Sequence, residues 1–272
     1  MKSDNQPKKI MHSIRRKSMY YLDKFRYRPL HAKLRKHYLK EKGLESYFSK
    51  KQGLEIGGPS QIFSSTGILP IYSLMSSLDG CNFSDNTVWE GTISAGPYLQ
   101  EEGNTGRQFI SEGASLGFAG DDSYDFLLSS HSLEHHANVI KALKEWKRVV
   151  RPGGLLLIVV PDKDHTFDHK RAFTPFEHFL ADEAAGVEES DLTHLDEILQ
   201  LHDLSKDPGA GDFERFKQRC LENYKNRCLH QHVFSFENLA RLAAYLQLEV
   251  LETIFVPPYH DMVFLRKGFT SN

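Results

Sequence analysis

No run of about 18 apolar residues interrupts the sequence, so no membrane-spanning helix is expected. The N-terminal basic residues have no apolar segment behind them, which speaks against a secretory signal. Cysteine is scarce: Cys81, Cys220 and Cys228 are the only three in 272 residues, and none forms a C-x-x-C pair. That disfavours a disulfide framework and a cysteine zinc site, and makes a reducing cytoplasm the expected setting. Also missing are any H-E-x-x-H helix signature, any internal repeat and any low-complexity tract.

The composition that remains is that of a soluble globular chain with one sizeable core, 40% hydrophobic and 26% charged. The formal net charge of −2 hides an asymmetry. Residues 1–51 carry +12 and the remainder −14. A basic arm on an acidic body could dock an anionic membrane surface, a nucleic acid or an acidic partner. Its plainer reading is a solvated helical extension packed on the body through Ile10, Ile14, Tyr21 and Phe25. The acidic body has no basic groove, which disfavours duplex nucleic acid as substrate.

The pattern predicts helix over residues 10–50, interrupted near Pro29, and then changes at Leu54. Residues 124–161 read as a strand–helix–strand unit. "YDFLLSS" is a short buried strand. In "ANVIKALKEWKRVV", Val139, Ala142, Leu143, Trp146, Val149 and Val150 share one helical face. "RPGG" supplies the stop before "LLLIVVP". Residues 162–230 are polar, rich in His and acids, and read as a helical insertion. "SFENLARLAAYLQ" predicts a helix with Ser235 as N-cap. A final hairpin follows across "PYH".

"LEIGGPS", residues 54–60, is a glycine turn after a strand. Gly57 and Gly58 remove side chains that would block a ligand's approach to the backbone. Pro59 has no backbone N–H to donate, which counts against a pyrophosphate-binding loop.

In this order the segments resemble a class I S-adenosylmethionine-dependent methyltransferase of the small-molecule, methyltransferase type 11-like kind. "LEIGG" matches the first strand and glycine turn, and "TVWEG" a second strand ending in an acid. "SEGASLGFAGDDSYDFLLSSHSLEH" matches the adenine loop and fourth strand, and "VVRPGGLLLIVVPD" the turn into the fifth. Residues 53–162 and 231–267 are covered. The resemblance implies an α/β fold, a three-layer αβα doubly wound, Rossmann-like sheet. That sheet has seven mostly parallel strands with the last antiparallel. A basic helical arm (1–50) precedes the domain (51–272), and residues 162–230 form its acceptor lid.

The same resemblance implies S-adenosylmethionine as cofactor. Glu55 would hold the methionine ammonium and Glu90 the ribose hydroxyls, with Asp85 and Asp79 as competitors for the second role. Glu112 and Gly113 would read the adenine edge, with Ser130 and His131 at the methionine end and Gly57 and Gly58 in the turn. Pro59 and Gln61 depart from the family's glycines. The implied reaction is methyl transfer to a small polar acceptor, a sugar or other metabolite, by O-methylation. A hydroxyl acceptor needs a general base, and His131, His165 and His169 are the candidates. His165 and His169 with Asp162 or Asp164 have metal-ligating chemistry but no rigid ligand spacing, so no metal is expected. His194, His230 and His232 read as structural unless folded near the cleft. Two other readings stay open: an NAD(P)-binding oxidoreductase, and a non-catalytic binding protein on the same fold.

Overall fold

The computed structural model describes residues 26–88, 91–99 and 105–269. Ile10, Ile14, Tyr21 and Phe25, the expected anchors of the arm, lie outside them. The arm is seen from a helix over residues 26–41 (α1), which contains Pro29 without interruption, against expectation. Pro29 falls within the first turn of the described helix, so it does not divide the run that follows.

Among the described residues ten strands follow in chain order. They are β1 (Gln52–Ile56), β2 (Ser77–Asn82), β3 (Asn86–Thr87), β4 (Gly91–Thr92), β5 (Gly96–Leu99), β6 (Thr105–Ile110), β7 (Tyr124–Ser130), β8 (Val150–Pro161), β9 (Leu248–Val256) and β10 (His260–Lys267). Eight form one sheet in the order β5-β6-β2-β1-β7-β8-β10-β9. Every pairing from β6 through β2, β1 and β7 to β8 is parallel, and β10 runs antiparallel between β8 and β9. The expected seven strands with an antiparallel last one are therefore present. The eighth, β5, is an addition: it pairs antiparallel to β6 at the edge.

The second strand is Ser77–Asn82, not the stretch "TVWEG". Its register fixes this, with Ile56 of β1 beside Cys81. Asn86 and Thr87 instead pair with Thr92 and Gly91 in the small β3–β4 hairpin, and Glu90 is not among the described residues.

Side chains alternate across the sheet, as a period of two requires. On one face Leu127, Leu156, Ile158 and Val160 meet α2 (Val139–Val149), α3 (Phe176–Ala185) and α7 (Phe236–Tyr245). Asn138 caps α2 by accepting from the Lys141 amide, and Ser235 with Asn238 forms a capping box on α7. On the other face Phe126, Leu128, Leu155, Leu157 and Val159 meet Leu34, Tyr38 and Leu39 of α1 and the segment Ile62–Met75. Residues 162–230 carry no strand. Their helices α3, α4 (Leu195–Leu201), α5 (Phe213–Leu221) and α6 (Asn223–Asn226) enclose a small core of their own around Ile198, Phe216, Cys220 and Leu229. Among the described residues no helix is long and apolar enough to cross a membrane.

Gly53 lies under the ring of Phe126, which in turn packs edge-on against Phe48 at 5.1 Å. A Cβ at Gly53 would stand 2.2 Å from that ring. Two effects compete in Gly53→Val: better strand propensity, and overpacking. Propensity differences span about 1 kcal/mol, whereas overpacking costs about 1–3 kcal/mol. The variant is therefore expected to unfold at lower urea concentration than wild type. An unchanged or higher midpoint contradicts this packing of Gly53 against Phe126.

Candidate active site

A cavity of about 420 Å³ opens at the carboxyl ends of β1, β2, β6 and β7. This is where an open parallel sheet binds ligands. The turn after β1 forms its floor. Gly57 adopts φ +79°, a left-handed conformation that favours glycine, and its amide donates to Cys81 O at 2.9 Å. Gly58 has a different reason to be glycine. A Cβ there would stand 2.2 Å from the carboxyl carbon of Glu55.

Glu55 is completely buried beneath this turn and does not line the cavity. Its Oε1 accepts from the Ser60 amide at 3.1 Å; its Oε2 accepts from Tyr72 (2.7 Å) and Tyr98 (3.1 Å) hydroxyls. Burial raises its pKa, opposed by those donors. The carboxylate expected to meet a ligand thus holds the turn's backbone, and any effect on a ligand passes through that backbone.

Asn82 ends β2, beside the turn. Its Nδ2 donates to Gly58 O at 2.8 Å. Its Oδ1 is buried and has no hydrogen-bond partner among the described residues. Next to it Phe83 lines the cavity. Glu112 and Gly113 follow β6 on the same wall, and the Trp146 indole fixes this corner by donating to Gly113 O at 2.9 Å. Glu112 is held by Arg227 Nη2 at 2.5 Å, and Arg227 also reaches Glu189 at 3.1 Å. Burial raises the Glu112 pKa, with Arg227 opposing. Both Arg227 and Glu189 come from the insertion, so the insertion closes this side of the cavity.

At the other end stand Ser130, His131 and Ser132, at the end of β7 and just past it. His131 has φ +51°, sparsely populated by residues other than glycine, and its amide donates to Val159 O at 2.8 Å. Its Nε2 lies 2.9 Å from His260 Nδ1, the two rings edge to face. Burial holds the His131 pKa well below the ordinary value, and His260, His230 and His135 push the same way. Burial also takes His260 down to about 4. Both imidazoles are therefore neutral at pH 7.

Gly57, Glu112, Gly113, Ser130 and His131 thus share one cavity, with Gly58 and Glu55 directly behind it. His165 and His169 do not line it. His165 Nδ1 pairs with Asp162 Oδ1 at 2.5 Å and its ring stacks on Phe255, while His169 Nε2 pairs with Asp203 Oδ2 at 2.9 Å. Sequence reasoning missed Asn82, Phe83, Glu189, Arg227 and His260. The polar end of "SLDGCN" was the available signal for Asn82. Nothing local marks Arg227 or His260, which arrive from far along the chain.

Two groups of side chains have metal-ligating chemistry: Glu134, His135 and His230, and His178, His194 and His232. In the first, Glu134 is buried with neither oxygen hydrogen-bonded among the described residues, and burial lifts its pKa to about 7. Its Oε1 is 4.0 Å from His135 Nε2, a distance wider than neighbouring ligands of one small ion.

The donor set fits S-adenosylmethionine. The glycine turn leaves room for the ligand, the orphaned Asn82 Oδ1 is an acceptor for a hydroxyl at the end of β2, and Glu112 offers a carboxylate on the next strand. Comparison with known proteins agrees. A family described as a methyltransferase domain matches residues 90–158. A demethylmenaquinone methyltransferase from Bacillus velezensis is 31% identical over 98 residues. The matched part spans 35% of this chain and 40% of that protein. Among solved structures, a SAM-dependent methyltransferase from Methanosarcina mazei is similar over 83% of this chain and 97% of its own, at 16% identity and TM-score 0.46. One from Aquifex aeolicus is similar over 88% and 97%, at 14% identity and TM-score 0.42. Residues 90–158, from β4 into β8, thus resemble a methyltransferase domain, and they sit in a sheet of order β6-β2-β1-β7-β8-β10-β9 beside a donor set that suits S-adenosylmethionine.

Proposed function

We propose that this protein transfers a methyl group from S-adenosylmethionine to a hydroxyl of a small polar acceptor. The observation that carries the acceptor side is the neutral His131–His260 pair at the β7 end of the cavity, 2.9 Å apart. When bound, the cofactor supplies an activated methyl on a sulfonium, so the protein's task is placement and proton removal.

The residues divide that task. Gly57 and Gly58 give the close approach, and Asn82 Oδ1 accepts from a ribose hydroxyl. Glu112, steadied by Arg227, meets the adenine edge, and Ser130 lies at the methionine end. The neutral imidazole of His131 accepts the acceptor's proton at Nδ1, with His260 orienting the ring through Nε2. Residues 162–230 act as the lid: Glu189 and Arg227 already border the cavity, so water is excluded from that side. His165 and His169 take no part, because each is paired with a carboxylate away from the cavity.

Two results test this reading. Asn82→Ala should weaken S-adenosylhomocysteine binding roughly 3–10-fold by calorimetry, the worth of one or two lost hydrogen bonds. An unchanged affinity removes Asn82 from the donor site. For the acceptor, labelled methyl transfer is followed over a panel of sugars, phenols and carboxylates. On any accepted hydroxyl, His131→Ala should lower kcat by about 10²–10⁴-fold while cofactor affinity stays within a few-fold. A base works only when unprotonated, and the His131 pKa is pushed below 6.5. The wild-type rate should therefore hold steady as pH falls through 6.5 and decline only below it. A His131→Ala enzyme as fast as wild type overturns the assignment.

A further inference from the structure

Away from the cavity, four side chains from three segments converge, two of them with an unmet polar atom. His178 and Asp182 sit one turn apart on α3, His194 precedes α4, and His232 leads into α7. His178 Nε2 is 2.9 Å from His194 Nε2 and 3.4 Å from Asp182 Oδ2. His232 Nε2 is 3.7 Å from the same Asp182 oxygen. Asp182 is buried, and its Oδ2 has no hydrogen-bond partner among the described residues. His232 is buried to 1% exposure, and its Nδ1 likewise has no partner among them.

A buried carboxylate oxygen without a donor is costly, and it is the kind of atom a cation satisfies. The spacing says which cation. Donors 2.0–2.1 Å from a tetrahedral zinc stand roughly 3.3 Å from one another. His178 and His194 stand 2.9 Å apart, near that value, and the ligand nitrogens of all three histidines lie within 4.8 Å of one another. The outer contacts also suit ligation. His194 Nδ1 faces Glu197 Oε2 at 3.5 Å, leaving Nε2 to the group. His232 Nε2 contacts Ala137 O at 3.2 Å, a long bond that coordination would replace.

We propose that His178, His194 and His232 form a tetrahedral binding site for a structural divalent cation of the zinc type, with the Asp182 carboxylate beside it. Beside the three histidines, the buried Asp182 carboxylate stands 3.4 Å from His178 and 3.7 Å from His232, a negative charge that would favour the ion. The ion would clamp α3 and the His194 turn of the insertion to His232. The His232 amide donates to Glu134 O at 3.3 Å, and the neighbouring His135 and His136 line the cavity. The clamp thus sets where the lid meets the donor cavity.

Cobalt(II) titration of the untagged full-length chain tests the site, since tetrahedral cobalt absorbs strongly in the visible range and octahedral cobalt does not. About one tetrahedral equivalent per chain is expected, displaced by zinc. His194→Ala and Asp182→Asn should weaken binding roughly tenfold or more, while Glu134→Gln leaves the spectrum intact. Should those variants misfold, His178→Cys should add a thiolate-to-cobalt charge-transfer band in the near ultraviolet. No tetrahedral spectrum from wild type overturns the proposal. So does a spectrum that survives loss of His194 but not of Glu134, or a His178→Cys chain without the thiolate band. S-adenosylhomocysteine calorimetry on the same samples reads the donor site separately, so failure of one does not mimic failure of the other.

Discussion

The buried carboxylate of Glu55 is the constraint on which the rest of the site rests. Taking a carboxylate out of water costs several kcal/mol unless donors replace the lost hydration. Three donors do so here, from three parts of the chain: the Ser60 amide, Tyr72 and Tyr98. The Ser60 amide also reaches the Tyr72 hydroxyl at 2.7 Å, so the group is a connected network. Oε1 has the Ser60 amide and Oε2 has both tyrosines, so each donor lost weakens the compensation of this buried group. The turn over the cavity floor is consequently fixed from beneath before any ligand arrives.

That network also accounts for the additional edge strand. Tyr98 belongs to β5, and it reaches Glu55 by lying across Gly80 of β2, where a Cβ would stand 2.5 Å from its ring. A glycine in the middle of a strand weakens that strand by itself. Here the missing side chain is the passage through which an edge residue reaches the centre of the sheet. The small hairpin β3–β4 and the strand β5 then stand in the chain between β2 and β6, where a doubly wound fold would ordinarily carry a helix. The opposite face is covered in part by α1 through Leu34, Tyr38 and Leu39, which gives the described part of the basic arm a place in the core.

Legibility of the sequence followed how local each cause was. The unit from β7 through α2 to β8 was readable because its apolar periods of two and 3.6 are set by neighbours in sequence. The capping of α7 by Ser235 was readable for the same reason. Strand β2 was not, since "SLDGCN" is too polar to announce a strand. It becomes one because β1 and β6 flank it. Taking "TVWEG" for that strand put the strand-end residue at Glu90, which lies outside the described residues, whereas β2 ends at Asn82. In the site, the residues at strand ends were legible from position: Gly57, Glu112, Gly113, Ser130 and His131. The partners that tune them were not. His260 lies 129 residues from His131, and Arg227 lies 115 from Glu112. Such pairs are set by the closed fold alone.

Pro59 acquires a meaning from the same geometry. A loop that binds a pyrophosphate must aim its backbone amides at the ligand. Three of the four positions in this turn cannot. The Gly57 amide is spent on Cys81 O, Pro59 has none, and the Ser60 amide points down to Glu55 and Tyr72. A nicotinamide dinucleotide would leave its phosphates without the donors they need. A sulfonium nucleoside carries no phosphate and asks the turn only for room, with recognition left to side chains at the strand ends. The proline therefore belongs to a floor whose polar groups face inward, and that orientation separates a methyl donor from a dinucleotide more firmly than the count of glycines does.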